Sequence, residues 1–317
     1  MGRAANDRVH VFAMKITLAL LFLFALGARA EGATGDGSKA MANVKNWVRA
    51  SMPVVKTADA SQITPELGYH KLNGAKASIN AHIVNGRTAN RGDFPHIVAI
   101  IMDTDNFCGG SLISRSVVLT AAHCVKPFSS FMLIFGAQTR EGQGQNSEIR
   151  ESTSAVYHEK YNPNTMRNDI AMIYLPRPVE LNSFVKVIKV ATKLHDSNML
   201  RKGVAATVAG WGKTSDAADV SNILKTANLI IQGNNFCSST YGTDSFTPNQ
   251  ICALGRNGDA TCQGDSGGPL TLKDSNGELV IFGLVSYGSA QGCSSGDPEV
   301  FTRVSSYTKW ITVNSNY

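Results

Sequence analysis

From residue 96 to residue 304 the apolar residues come in short runs, several alternating with polar ones, and broken by Gly, Pro, Asn, Asp and Ser. Such runs read as strands. The candidates are His96–Met102, Phe107–Ile113, Ser116–Thr120, Phe131–Phe135, Asp169–Leu175, Ala205–Gly210, Leu224–Ile231, Gly268–Leu272, Leu279–Tyr287 and Val300–Val304. Many short strands with turn signals between them predict an all-β barrel or sandwich. The Gly- and Gln-rich stretch 137–150 is expected to be an exposed loop. From Ser305 to Asn314 the spacing turns helical: Tyr307, Trp310 and Ile311 share a face, with Ser305 or Ser306 as cap.

The chain before this region has a different character. Lys15 precedes the apolar stretch Ile16 to Ala28, and Ala28-Arg29-Ala30 is a small-x-small cleavage site, so residues 1–30 read as a secretory signal. A stretch of thirteen residues is too short for a membrane span, which needs about 20. Met14-Lys15 would itself begin a good signal. Residues 31–82 are polar, begin with a flexible Gly-rich composition, and contain no cysteine. Met41, Val44, Trp47 and Val48 recur there at helical spacing. With no repeat and no sign of a second domain, this segment reads as a propeptide.

Charge and cysteine content narrow the function. The formal charge is +6, but residues 1–82 hold 10 Lys+Arg against 5 Asp+Glu, and residues 83–317 hold 20 against 19. The mature part therefore lacks the basic excess of a nucleic-acid footprint. All six cysteines follow Ile83. An even set in a secreted chain implies disulfides, with fifteen pairings open. The seven histidines are dispersed, with no His-x-x-x-His pair, which argues against zinc. No Asn-x-Ser/Thr sequon occurs. No cofactor is called for.

Three motifs carry chemistry. Thr261-Cys262-Gln263-Gly264-Asp265-Ser266-Gly267-Gly268-Pro269-Leu270 is a glycine-rich turn around a serine. A serine hydroxyl needs a base and a stabiliser for the oxyanion it creates. The glycines permit torsions that let backbone N–H groups converge on one point. Thr120-Ala121-Ala122-His123-Cys124 supplies a histidine at the end of an apolar run. Asn168-Asp169-Ile170-Ala171-Met172-Ile173-Tyr174-Leu175 supplies an aspartate at the start of another. His96, His158 and His195 lie in no such motif and are read as structural.

Together, in the order His, Asp, Ser, these motifs resemble the chymotrypsin-like (S1, trypsin-like) serine protease family, from Ile83 to the C-terminus. The look is most similar to secreted arthropod chymotrypsin-like and collagenolytic proteases. The resemblance implies two six-stranded antiparallel β-barrels, at about 96–190 and 200–304, a C-terminal helix at 305–314, and a site in the cleft between the barrels. It implies His123, Asp169 and Ser266 as a catalytic triad, with the N–H groups of Gly264 and Ser266 as the oxyanion hole. It selects the pairs Cys108–Cys124, Cys237–Cys252 and Cys262–Cys293. Ile83-Val84-Asn85-Gly86 resembles the mature N-terminus, whose α-ammonium would fold inward onto Asp265. His82 departs from the basic residue usual before that bond, so the activating protease is open. Calcium is disfavoured, because Glu141 and Glu148 make no convincing oxygen cage.

Ser286-Tyr287-Gly288 resembles the family's Ser-Trp-Gly strand. By that resemblance Ser286 supports Asp169, and the backbone of Ser286 and Gly288 pairs with substrate. The pocket floor falls on Ala260, with Asp259 one residue too early for a trypsin-type charge. The floor should therefore be uncharged and favour aromatic residues or leucine. Glu299 follows Pro298 where many relatives carry glycine: turned outward it is a surface charge, turned inward it admits lysine as a secondary choice. Expected partners are protein or peptide substrates, proteinaceous inhibitors and an activating protease. The expected product is a secreted, extracellular monomer made as a zymogen, free of the membrane after signal removal. A digestive role is favoured over a regulatory protease with one target, and over an inactive homologue acting as a binding module.

Overall fold

The computed structural model describes residues 86–103, 105–142 and 146–315. The expected signal, the propeptide with its helical stretch, and the His82–Ile83 bond lie outside the described residues. In chain order the elements are β1 (Arg87–Thr88), β2 (Ile97–Met102), β3 (Asn106–Ser114), β4 (Val117–Thr120), β5 (Phe131–Phe135), β6 (Glu148–Ser152), β7 (Ala155–Tyr157) and β8 (Ala171–Tyr174). There follow β9 (Lys189–Val190), α1 (Lys193–Met199), β10 (Ala205–Gly210), β11 (Lys225–Ile231), α2 (Asn234–Tyr241) and β12 (Gln250–Gly255). Last come β13 (Pro269–Lys273), β14 (Leu279–Tyr287), β15 (Glu299–Arg303) and α3 (Thr308–Ser315).

The first half is an antiparallel curled sheet ordered β6-β5-β2-β3-β4-β8-β7. Its two edge strands are consecutive in the chain and meet at Thr153-Ser154. The Ser152 hydroxyl holds this bend: it accepts from Ser154 N at 3.0 Å and donates to Tyr174 O at the end of β8 at 2.6 Å. Counted as one bent strand, β6 and β7 make this sheet six-stranded. In the second half β10, β13, β14, β15, β12 and β11 pair in that order and close through β11–β12. This is a six-stranded barrel, with β1 added on β11 and β9 added in parallel on β14.

The continuous apolar character of β2 has a structural reason. Val98, Ile100 and Met102 point into the core of the first sheet with Leu112, Leu133 and Ile173. The alternate residues Ile97 and Ala99 pack with Ala209 and Trp211 of the second half. A strand buried on both faces shows no polar alternation. A third cluster joins Leu119 and Met172 to Leu284, Tyr307 and Ile311, so α3 seals the junction between the halves.

The structure corrects several expectations. The stretch 137–150 is not all exposed loop: Ala137 is buried and residues 148–150 begin β6. Its sequence Glu-Ile-Arg-Glu-Ser hides the strand because the one large apolar side chain, Ile149, faces outward. Strands β1, β7, β9 and β12 and helices α1 and α2 also escape the pattern. Helix α1 buries no residue and is fixed at its start by Thr192 N donating to His195 Nδ1 at 3.0 Å. At the C-terminus a 3-10 turn, Val304–Tyr307, precedes α3. Ser305 does not cap it; its hydroxyl bonds Asp196 Oδ2, and Ser306 Oγ accepts from Lys193 Nζ.

Candidate active site

His123 sits on a 3-10 turn, Ala122–Cys124, that leaves β4. The turn is held by full burial of Ala121, Ala122 and Cys124 and by the Cys108–Cys124 disulfide to β3. Its imidazole remains 24% exposed. Asp169 precedes β8 and is wholly buried. Its Oδ2 lies 2.8 Å from His123 Nδ1, and its Oδ1 accepts from His123 N at 3.0 Å. Ser286 Oγ on β14 donates to the same Oδ2 at 2.7 Å. Burial opposes protonation of His123, but the charge and hydrogen bond of Asp169 outweigh it and raise the imidazole above its ordinary value.

The serine turn lies between the halves. Gly109 N on β3 donates to Ser266 O at 2.8 Å, and Gly267 N donates to Val285 O on β14 at 2.8 Å. A side chain at Gly267 would overlap Thr120 Oγ1, just before the histidine turn. The turn is thus docked against the segments that carry His123. The N–H groups of Asp265, Gly267 and Gly268 all donate to backbone carbonyls. Among the described residues those of Gly264 and Ser266 do not, and Gly264 has a φ of +100° that favours glycine. Two unengaged donors two residues apart, beside a half-buried serine, suit a developing oxyanion. The Ser266 hydroxyl makes no hydrogen bond among the described residues; such contacts often tighten only when substrate binds.

Asp265 is buried, accepting from Gly212 N at 2.8 Å and Cys262 N at 2.9 Å. Burial pushes its carboxyl up to about 7, despite these two bonds. No cation faces it among the described residues. Its expected partner, Ile83, lies outside them, as does His82. The Gly210-Trp211-Gly212 run belongs to this site: a Cβ at either glycine would overlap the Asp265 carboxylate. Two glycines bracketing a buried tryptophan at a strand end were the available signal of close backbone approach.

Below the turn, the Cys262–Cys293 disulfide links the serine segment to the segment after β14, and Cys237–Cys252 links α2 to β12. Ala260 is buried, and the Asp259 carboxylate accepts from Asn228 N on β11 at 3.0 Å. Glu299 turns inward, only 5% exposed, accepting from Thr261 N at 3.0 Å and from the Thr261 hydroxyl. Tyr287 packs edge-on against Tyr241 of α2 and donates to Ser245 O at 3.1 Å, while Gly288 is exposed. Asp216 accepts from Cys293 N at 2.6 Å, tying the loop after β10 to the same wall.

Three residues around Asp169 were not marked as site residues by the sequence. Thr302 Oγ1 donates to Asp169 O at 2.7 Å. Asn168 holds a left-handed φ of +56°; its Nδ2 donates to Lys160 O at 2.8 Å and its Oδ1 accepts from Tyr307 OH at 3.1 Å. No motif marks Thr302 or Tyr307, because they come from distant elements. The other histidines make structural contacts: His96 is buried beside Phe94, His158 stacks on Trp310, and His195 meets Phe282. Glu148 is engaged by Arg150 and accepts from Glu180 N at 3.0 Å.

Comparison with known proteins agrees with this architecture. The trypsin family model matches residues 83–311. Brachyurin of Leptuca pugilator is 38% identical over 72% of this chain and 96% of its own length. The collagenase of Hypoderma lineatum is 34% identical over 74% of this chain and 87% of its own. A solved HL collagenase structure superposes with a TM-score of 0.67 at 33% identity, covering 74% of this chain and 99% of its own. With its two-part β architecture and its Ser266 turn docked beside His123, the chain belongs to the trypsin family and is a serine endopeptidase.

Proposed function

We propose that this endopeptidase hydrolyses peptide bonds through an acyl-enzyme, with Ser266 as nucleophile, His123 as general base and acid, and Asp169 as the group that orients the imidazole. The observation that carries the reading is the His123–Asp169–Ser286 network beside the unengaged Gly264 and Ser266 N–H groups. His123 takes the Ser266 proton as the hydroxyl oxygen bonds the carbonyl carbon. The oxyanion is held by the two N–H groups; losing one such donor costs about 10²–10³ in rate. Collapse expels the amine, protonated by His123, and water repeats the sequence on the ester. Asp169 accepts from Nδ1–H, which leaves Nε2 free to act as base.

The chain is made as a zymogen in this reading. A buried carboxylate at Asp265 that faces only neutral donors calls for a cation, and the α-ammonium of a chain cut after His82 would supply one. The inward Glu299 beside an uncharged Ala260 supports a preference for aromatic residues or leucine, with lysine second. Asp259, engaged by Asn228 N, argues against a trypsin-type floor. Three disulfides fit an extracellular protein, and relatives with collagenase and chymotrypsin names favour a digestive enzyme. The test is Ser266→Ala. It should be produced folded, lose peptidase activity by roughly five to six orders of magnitude, and resist a serine-directed phosphonate that labels the parent. Substantial hydrolysis by that variant would overturn the assignment.

A further inference from the structure

Glu299 is a carboxylate sealed inside the barrel wall, and its surroundings are asymmetric. On one side Thr261 supplies both hydrogen bonds, from its N–H and its hydroxyl. On the other lies Gly288, where a Cβ would sit 4.0 Å from Glu299 Cγ, ordinary contact. Thr261 leads into the serine turn and Gly288 ends the strand assigned to substrate, so the carboxylate stands between the two walls of the proposed pocket. The titratable groups that face it are Asp265 from the serine turn, Asp259 from the segment after β12, and Tyr241 from α2. None is a cation, and no salt bridge reaches Glu299 among the described residues.

We propose that the Thr261–Glu299 pair is a proton-gated selector of the substrate side chain: protonated Glu299 gives a neutral wall for an aromatic residue or leucine, and ionised Glu299 gives a counter-charge for lysine. This deepens the pocket reading above and rests on it. Burial pushes the Glu299 carboxyl up to about 8; the Thr261 bonds pull it down, and Asp265 and Asp259 add to the rise. In the activated protein the Ile83 ammonium would offset Asp265, so the working midpoint falls at or somewhat below that value. A lysine ammonium and the proton then compete for one carboxylate. An aromatic ring desolvates it further and favours the proton. Each ligand therefore biases the protonation state that suits it, and protonation biases the ligand by the same factor.

The test compares two peptide amides that differ only in Lys or Phe before the scissile bond, on activated enzyme from pH 6 to pH 9.5. The readout is the ratio of kcat/KM for Lys to that for Phe. Titration of the triad and of Asp265 acts on both substrates and cancels, and the lysine stays charged, its own pKa being about 10.4. The ratio should rise roughly tenfold per pH unit through the midpoint, because lysine binds only the ionised fraction and Phe prefers the protonated one, and level off at a higher pH set by how well ionised Glu299 still accepts Phe. Glu299→Gln should abolish the rise. Thr261→Val, which removes a donor to the ionised form, should move the midpoint upward. A flat ratio in the parent, a rise that persists in Glu299→Gln, or an unmoved midpoint in Thr261→Val would overturn the selector. Cleavage of neither substrate, or cleavage by Ser266→Ala, would instead strike the underlying reading.

Discussion

Two buried carboxylate regions, one at Asp169 and one at Asp265 and Glu299, do opposite things. Asp169, wholly buried, is met by a basic imidazole, a serine hydroxyl and a backbone N–H. The pocket pair Asp265 and Glu299 is buried as deeply, but its hydrogen-bond partners are neutral donors only. Around Asp169 the surroundings raise the affinity of the neighbouring imidazole for its proton. In the pocket burial instead raises the affinity of the carboxylates themselves, to about 7 and about 8. Depth alone does not decide whether a carboxylate is charged; the partner does. One region sets its carboxylate against an imidazole, and the other leaves its carboxylates with neutral donors alone.

Asp169→Asn should break the first side of that contrast and have the largest effect. The amide keeps the shape but favours the wrong imidazole tautomer, and kcat should fall by about 10⁴ with little change in KM. Comparable losses in KM would show that Asp169 shapes the pocket and does not orient the base.

The second prediction concerns the conditional side. Activity should appear only in the form whose N-terminus reads Ile83-Val84-Asn85-Gly86, because the proposed activation relies on that α-ammonium to meet Asp265. Trypsin alone should not generate full activity in one cut, since His82 precedes the bond. N-terminal sequencing of active enzyme is the check. A fully active form with another N-terminus would refute the pairing.

A third buried group lacks a hydrogen bond at one ring nitrogen among the described residues. His96 is 3% exposed and its Nε2 has no hydrogen-bond partner, so burial lowers its pKa to about 3. The unfolded chain binds the proton near 6.5 and the folded chain does not. Between those values the unfolded state holds more protons, so stability falls as pH drops from about 6.5 towards 3. Thermal unfolding of the Ser266→Ala form at pH 7 and pH 4 should show this loss, and His96→Leu should shrink it. An unchanged acid loss in His96→Leu would place the sensitivity elsewhere.

These residues also show what the sequence could convey. Strand positions in the cores were legible because β2 to β5, β10 and β14 bury continuous or alternating apolar runs. Strand β6 was not, because its apolar residue faces out, and α1 was not, because it has no apolar face. The positions of His123, Asp169 and the Ser266 turn could be read from short motifs. The direction of Glu299 could not: it depends on Thr261, 38 residues away. The clamp on Asn168 could not either, because Tyr307 reaches it from 139 residues along the chain.

That clamp gives the smallest effect and the finest test of the contrast. Asp169 keeps its place partly because Asn168, at a φ of +56°, is gripped at both ends of its amide. Tyr307→Phe removes one hydroxyl and nothing else, leaving the ring in its apolar cluster with Ile311 and Leu284. Losing one such hydrogen bond is worth about 0.5–1.5 kcal/mol. If that energy goes into letting Asp169 drift from His123, kcat should fall about 2- to 10-fold at unchanged KM. The acid limb of the kcat profile should also move to lower pH, since a slackened Asp169 supports the imidazolium less. A variant that is merely less stable would show a lower melting temperature with the parent's kcat and the parent's pH profile. In that case the grip on Asn168 serves the fold, and Asp169 is held by Ser286, Thr302 and the histidine turn.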